Sequence, residues 1–123
     1  MTYDASDIKS WIREDLKFTE GRRETVKAGL LERRIPKKVK PEELHVNPDD
    51  EFTFPDIGPN DAIIENYSTL ARRYFALKEP VYPEPLQVLK LKMGGYMILN
   101  GHHRWAGALK ARVPTIRIVV SDS

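Results

Sequence analysis

Hydrophobic side chains recur along this chain with two different spacings, which divide it into predicted helices and predicted strands. Spacings of three and four residues, as expected for one face of a helix, occur between residues 4 and 34, 61 and 77, and 102 and 111. From Leu86 onward apolar and polar residues alternate instead, as they do in a half-buried strand. The pattern therefore predicts mainly helices before Leu86 and a segment rich in strands from Leu86 onward.

The first 38 residues are predicted to form a helical N-terminal extension. Gly21 separates two apolar stripes at helical spacing, the first formed by Ile8, Trp11, Ile12 and Leu16 and the second by Val26, Leu30 and Leu31. Pro36 and Pro41 then enclose a basic connector that cannot continue a helix. We place a boundary in this connector, with the extension over residues 1–38 and a core domain over residues 39–123.

The core domain is predicted to combine short strands with helices. The predicted strands cover residues 43–46, 86–91, 96–99 and 116–120, and the predicted helices cover residues 61–77 and 102–111. Asn60 is placed to cap the first of these helices, and Gly94-Gly95 indicates the turn of a hairpin. Between them, residues 49–60 contain two prolines and a glycine, which predicts a loop of defined shape. The expected fold class is α+β, a small mixed β-sheet with packed helices.

Composition narrows the possible functions. Apolar residues make up 41% of the chain and charged residues 31%, which are ordinary values for a globular protein. Because no run of ~18 apolar residues and no signal-peptide pattern are present, we expect a cytoplasmic protein without a membrane span. The absence of cysteine excludes disulfides, thiolate metal sites and cysteine nucleophiles. The net charge of +2 lacks the strong excess of proteins that bind nucleic acid by bulk charge.

The string Asn100-Gly101-His102-His103-Arg104 joins a predicted strand to a predicted helix and is the strongest chemical signal. The N–H groups of a first helical turn are unpaired and favour anions, and a glycine lets a ligand approach the backbone. Arg104 can offer a planar fork to phosphate, and either histidine could bind an anion or transfer a proton. The string therefore predicts a phosphate site. Alternatively, it is only a turn in which Arg104 pairs with a core carboxylate and one histidine is a packing residue.

Other catalytic and metal signals are weaker. Adjacent histidines on a helix point about 100° apart and no third ligand has suitable spacing, so no metal site is predicted. Neither a Walker-type phosphate loop nor a nucleophile elbow is present. The acidic run Asp49-Asp50-Glu51 could supply a magnesium ligand or base, or could simply be a solvated loop. Glu84, fixed between two prolines, is a further candidate base beside His103 and Glu51.

Two basic features lie away from this string. Thr69 and Arg73 share a helix face and could close over a phosphate, or could form the solvated side of that helix. The basic residues of segment 33–40 could bind DNA, or could be ordinary charges on an exposed connector. A third possibility is that the N-terminal helices form a homodimer through Trp11, Ile12, Leu16 and Leu30.

The strings YPEPLQVLKLKMGGYMIL and ILNGHHRWAGALKARVPTIRIVV together resemble the ParB N-terminal domain and sulfiredoxin superfamily. Its pattern is a strand after proline, a glycine turn and a return strand, then a glycine-to-arginine turn, an alanine-rich helix and a final strand. The resemblance covers residues 84–120. It implies a nucleotide pocket whose phosphates are held by Gly101, His102, His103 and Arg104. Members include sulfiredoxins, CTP-dependent ParB clamps, kinases of free serine and proteins labelled ParB-like nucleases.

Departures from these members limit what can be carried over. Sulfiredoxin needs a cysteine where this chain has His102, so sulfinic-acid repair is not expected. ParB continues into further domains, so partition by this chain alone is not expected either. The favoured function is binding of a nucleoside tri- or diphosphate with Mg²⁺, with phosphotransfer or hydrolysis as its possible chemistry. The alternative is a DNA-binding or regulatory accessory module without catalysis.

Overall fold

The computed structural model describes residues 5–121, with side chains from residue 7 onward. Its helices are α1 (Ala5–Thr19), α2 (Leu30–Arg34), α3 (Asp61–Ala76) and α4 (His102–Ala111). Its strands are β1 (Lys37–Val39), β2 (Leu44–His45), β3 (Leu86–Lys90), β4 (Tyr96–Asn100) and β5 (Ile116–Val120). Short 3₁₀ turns lie at Pro41–Glu43 and Glu51–Thr53. No helix in the described part of the chain has the length and apolar character needed to cross a membrane.

The five strands form one mixed sheet in the order β1-β5-β3-β4-β2. The β1–β5 and β3–β4 pairs are antiparallel, whereas the β3–β5 and β2–β4 pairs are parallel. The β3–β4 hairpin turns at Gly94 and Gly95, whose φ angles of 104° and 76° favour glycine. The predicted α+β fold with a small mixed sheet is therefore confirmed.

The N-terminal part differs from its prediction in two places. Of the second predicted helix only α2 (Leu30–Arg34) forms, whereas Val26 lies in extended backbone, because its N–H donates to Lys90 O at 2.9 Å and Thr25 bridges Leu91. The connector between Pro36 and Pro41 stays out of a helix as predicted, but it contains strand β1, which was not predicted. Its Lys37 and Val39 pair with β5. Both segments gain backbone partners that are distant in sequence, which local propensity does not reveal.

Helix α1 packs against the rest of the protein. Ile8 and Ile12 are buried in the core, and the rings of Trp11 and Trp105 lie 4.8 Å apart. The buried Asp15 carboxylate lies 2.8 Å from His45 Nδ1 through one oxygen and accepts the Val46 N–H at 2.8 Å through the other. A buried carboxylate requires such partners, so these contacts fix α1 on β2.

These contacts bear on the predicted extension and dimer. The boundary at residue 38 falls inside β1, so the extension shares a strand with the core sheet. Trp11 and Ile12, proposed for a dimer surface, pack inside the protein, whereas Leu30 remains 57% exposed. The division into two domains and the dimer both stay predictions.

Helices α3 and α4 pack closely because α4 carries a glycine at their contact. A Cβ on Gly107 would lie 2.6 Å from Tyr67 Cβ and 2.8 Å from the Ser68 backbone nitrogen, too close for any other residue. As predicted, Asn60 caps α3, its side chain accepting the Ile63 N–H at 3.1 Å. This packing places the first half of α3 beside the N-terminus of α4.

Candidate functional site

A cleft of about 380 Å³ opens at the N-terminus of α4. The loop after β2, the first half of α3 and the turn from β4 into α4 surround it. The residues that line it are Asp50, Ile63, Tyr67, Asn100, Gly101, His102, His103 and Arg104. The structure therefore brings the whole predicted phosphate-binding string to one cavity.

Gly101 makes the sharp turn from β4 into α4. Its φ is 106°, and a Cβ there would lie 2.9 Å from both Leu86 Cγ and Arg104 Nη2. The main-chain N–H groups of His102, His103 and Arg104 follow in the first helical turn. The described residues supply no hydrogen-bond acceptor for these three donors. The turn thus presents unpaired donors at the positive end of a helix, an arrangement suited to an anion.

His102 is buried and neutral. Its Nε2 accepts the Asn47 N–H at 3.0 Å, so the neutral ring carries its proton on Nδ1, 3.6 Å from Asp50 Oδ2. Burial lowers the pKa of His102 to about 4; the Asp50 carboxylate opposes that shift and His103 adds to it. Protonating Nε2 would also break the bond to Asn47. This geometry makes His102 a hydrogen-bond acceptor for the loop.

His103 makes a matching contact at the other end of the same loop. Its Nε2 accepts the Asn60 N–H at 3.0 Å, and burial lowers its pKa, with Asp50 again opposing the shift. The ring of Phe52 packs against both histidines, with centroid distances of 5.2 Å to His102 and 5.0 Å to His103. The two histidines therefore hold segment 47–60 on α4. As a base, His103 would first have to release Asn60.

Arg104 is half-buried and its guanidinium contacts main chain. Nη1 donates to Glu84 O at 3.0 Å, and no carboxylate of the described residues lies within ion-pair distance. The Arg104 carbonyl accepts from the Tyr82 hydroxyl at 2.7 Å. The alternative raised by the sequence, an ion pair between Arg104 and a core carboxylate, is therefore not found among the described residues. Most guanidinium N–H donors remain available to the cleft.

The other predicted site residues lie outside the lining of this cleft. Glu51 is exposed on a 3₁₀ turn, and Glu84 contributes only its carbonyl oxygen, to Arg104. Thr69 donates its hydroxyl proton to Glu65 O at 3.1 Å, and Arg73 is exposed in the last turn of α3. Their roles in catalysis or phosphate binding stay predictions.

Two residues that line the cleft, Ile63 and Tyr67, were not predicted as site residues, and Asp50 was considered only as part of the acidic run Asp49-Asp50-Glu51. Ile63 and Tyr67 are four apart, so they share one face of α3, and both were assigned only to its apolar face. The Asn60 cap predicts where α3 begins and therefore which of its residues share a face. It does not predict that the face with Ile63 and Tyr67 meets α4, because that contact depends on Gly107.

Comparison with solved structures assigns the fold. This chain has the ParB/sulfiredoxin-like fold. Over 72% of its length it resembles the C-terminally truncated chromosome-partitioning protein ParB from Caulobacter crescentus complexed with CTP-γ-S, with a TM-score of 0.55 and 25% identity. It also resembles the same protein complexed to the centromeric parS site, over 70% of its length, with a TM-score of 0.51 and 26% identity.

Sulfiredoxin from Arabidopsis thaliana shares the fold over 72% of this chain and 86% of its own, with a TM-score of 0.52 and 16% identity. The chain spans less than half of the two ParB chains, 44% and 39%. No protein-family model matches the chain. A comparison with curated proteins finds no match either.

Proposed function

We propose that this domain binds a nucleotide through its phosphates at the N-terminus of α4. The observation that carries the proposal is the set of three unpaired N–H groups of His102, His103 and Arg104, which open into the cleft beside a glycine. Such a turn stabilises anionic charge without a further cation. The ParB structure complexed with CTP-γ-S, which has the same fold, supports a nucleotide as the anion.

Each residue of the turn has a distinct part in this binding. Gly101 lets the phosphate approach the backbone, and the following N–H groups donate to its oxygens. Arg104 adds a charged donor, while its bond to Glu84 O fixes the direction of the guanidinium. The exposed Asn100 at the end of β4 supplies a carboxamide at the rim.

Asp50 is the residue suited to a phosphate-bound Mg²⁺. It is the carboxylate among the lining residues, and Mg²⁺ with nucleotides commonly uses one or two carboxylates plus phosphate oxygens and waters. The described residues contain no cluster of three or more side chains that could hold a metal alone. Magnesium would therefore arrive with the nucleotide, neutralising phosphate charge beside Asp50.

Phosphotransfer or hydrolysis is a further step of the proposal and needs a base. Of the candidates His103, Glu51 and Glu84, only His103 lines the cleft, and its Nε2 is engaged by Asn60. Glu51 and Glu84 would have to approach by movement of their loops. The observations thus support binding more directly than catalysis.

Calorimetric titration of ATP, ADP, CTP and GTP, with and without Mg²⁺, tests the proposal. Replacing Arg104 by alanine removes one charged partner, and we expect Kd to rise roughly 10- to 100-fold or binding to vanish. Arg72→Ala, an exposed arginine on α3, is the matched control and should bind as the wild type does. Unchanged affinity in Arg104→Ala would show that the phosphates lie elsewhere.

A second candidate function is DNA binding through segment 33–40. Arg34, Lys38 and Lys40 are exposed, whereas Lys37 pairs with Glu32 at 3.6 Å and lies over the Tyr96 ring. The ParB complex with parS, of the same fold, favours testing it. Binding that falls steeply with salt and is lost when Arg34, Lys38 and Lys40 become glutamine would support it. Binding unaffected by these changes would remove this segment from consideration.

A further inference from the structure

The wall of the cleft that α3 supplies is apolar, in contrast to the polar turn opposite. It consists of Ile63 and Tyr67, which lie one helical turn apart on the same face. Ile63 is 40% exposed, although its neighbour Ile64 is fully buried in the core. An isoleucine left open beside an anion site adds nothing to phosphate binding. This wall therefore has the character of a surface for the apolar part of a ligand.

Tyr67 is held next to the phosphate-binding turn. The Tyr82 hydroxyl lies 3.1 Å from Tyr67 O and 2.7 Å from Arg104 O, so one phenol oxygen joins the two helices at these residues. The Tyr82 ring meets the Tyr67 ring edge-on at 5.7 Å and fixes its plane. On the other side, Gly107 admits Tyr67 Cβ against the α4 backbone.

The Tyr67 side chain is half-buried, and no described residue pairs with its hydroxyl group. A tyrosine that is rigid, partly open and beside an anion site is suited to stack on a planar ring. An aromatic stack is tolerant of base identity because every base has a π-face. The phosphate turn and this ring line one cleft, so they can contact the two ends of one small ligand.

Building on the proposed function, we propose that Tyr67 stacks on the base of the bound nucleotide, with Ile63 extending the same surface. The cleft then prefers phosphate esters that carry a planar ring over inorganic polyphosphate. The phosphates would be held by the α4 turn and the base by α3. Discrimination between nucleotide and polyphosphate would come from Tyr67.

The test compares ATP, CTP and GTP with sodium tripolyphosphate as calorimetric ligands. In wild type we expect at least one nucleotide to bind roughly 10- to 100-fold more tightly than tripolyphosphate. Tyr67→Leu should remove that preference and leave tripolyphosphate affinity unchanged, and Tyr67→Phe should keep the preference. Tyr74→Leu, on the same helix but outside the cleft lining, is the matched control.

The outcomes separate this proposal from the one on which it rests. Tripolyphosphate and nucleotides that bind equally well would overturn the role of Tyr67 while leaving the phosphate site intact. No binding of either ligand would overturn both. Should Tyr67→Leu fail to fold, nuclear Overhauser effects between base protons and the Tyr67 ring in wild type decide, with Tyr67→Phe identifying the ring signals. Their absence in a bound complex would refute the stack.

Discussion

Two clefts of nearly equal size lie beside segment 50–59 and differ in their lining. The cleft at α4 has a volume of about 380 Å³, and the groove between α1 and residues 52–59 has about 390 Å³. The first presents polar groups of the α4 turn. The second is lined chiefly by apolar residues, among them Ile12, Leu16 and Phe54, with Lys9 and Arg13 also present. Volume alone therefore does not identify the ligand site.

The difference lies in whether the main-chain donors are already paired. In the groove, the N–H groups of Thr53, Phe54 and Ile57 donate to carbonyls of their own turns at 3.0, 3.0 and 3.2 Å. At the α4 cleft, the donors of the first turn have no acceptor among the described residues. Phe52 separates the two, because it lines the groove and packs against His102 and His103. The unpaired donors thus favour the α4 cleft over the groove as the proposed anion site.

Acidification should have the largest effect, a fall in the free energy of unfolding that arises from His102 at the α4 cleft. The pKa of His102 is lowered to about 4 in the folded protein, so between pH 6.5 and 4 the unfolded chain binds more protons. Stability from this residue is therefore complete above pH 6.5 and is lost as pH falls towards 4. The expected loss in the free energy of unfolding is on the order of 3 kcal/mol, measured by urea denaturation across this pH range.

His102→Gln provides the control for this pH dependence. Glutamine keeps an acceptor for the Asn47 N–H but does not titrate, so the slope between pH 6.5 and 4 should become shallower. The lowered pKa of His103 would account for part of the slope that remains. An identical slope in wild type and variant would contradict the assignment of His102.

A Cβ at Gly101 should damage the same cleft to a somewhat smaller extent. At a φ of 106° an alanine is strained, by about 2 kcal/mol, and its Cβ would press on Leu86 and Arg104. Gly101→Ala should lower the free energy of unfolding by at least this amount and weaken nucleotide binding. Gly21→Ala is the comparison, since it has a φ of 73° but nothing within 4 Å of the added carbon. Equal losses in the free energy of unfolding at both positions would show that the contacts of the added Cβ with Leu86 and Arg104 do not contribute.

A change in the apolar groove should have the smallest effect. Ile57 is 59% exposed and lines only the groove, so Ile57→Ser should change nucleotide affinity less than about twofold. Its stability should also stay within about 0.5 kcal/mol of wild type. Calorimetry and urea denaturation measure both. A clear loss of nucleotide affinity would mean that the two clefts act as one site.

The parts of the fold that could be predicted from sequence are those with local signals. The β3–β4 hairpin, α4 and β5 follow from alternation, turn glycines and helical spacing, and all three are confirmed. The Asn60 cap is confirmed for the same reason. Strand β1 could not be predicted because only its pairing with β5, more than seventy residues away in the chain, identifies it as a strand. The Asp15–His45 contact, thirty positions apart, is equally invisible to a local pattern.

The candidate site likewise has one part that local sequence signals reveal and another that depends on contacts distant in sequence. The glycine-to-arginine turn could be found because its residues are consecutive. Asp50 and Tyr67 reach the cleft only through tertiary contacts, and Tyr67 depends on a glycine forty residues further along at position 107. Thr69 and Arg73 share a face with each other, yet the face of α3 that meets the cleft passes through Ile63 and Tyr67. Helical phase alone did not show which face this would be.

The contact between Trp11 and Trp105 provides an optical reporter within the protein. These are the two tryptophans of the chain, their centroids are 4.8 Å apart and their planes are inclined by 48°. Indole chromophores at such a distance and angle couple as excitons and give a signed pair of bands in circular dichroism. One indole belongs to α1 and the other to α4, the helix that begins at the proposed phosphate-binding turn. Undocking of α1, or a ligand-induced shift of α4, can therefore be followed spectroscopically without any label.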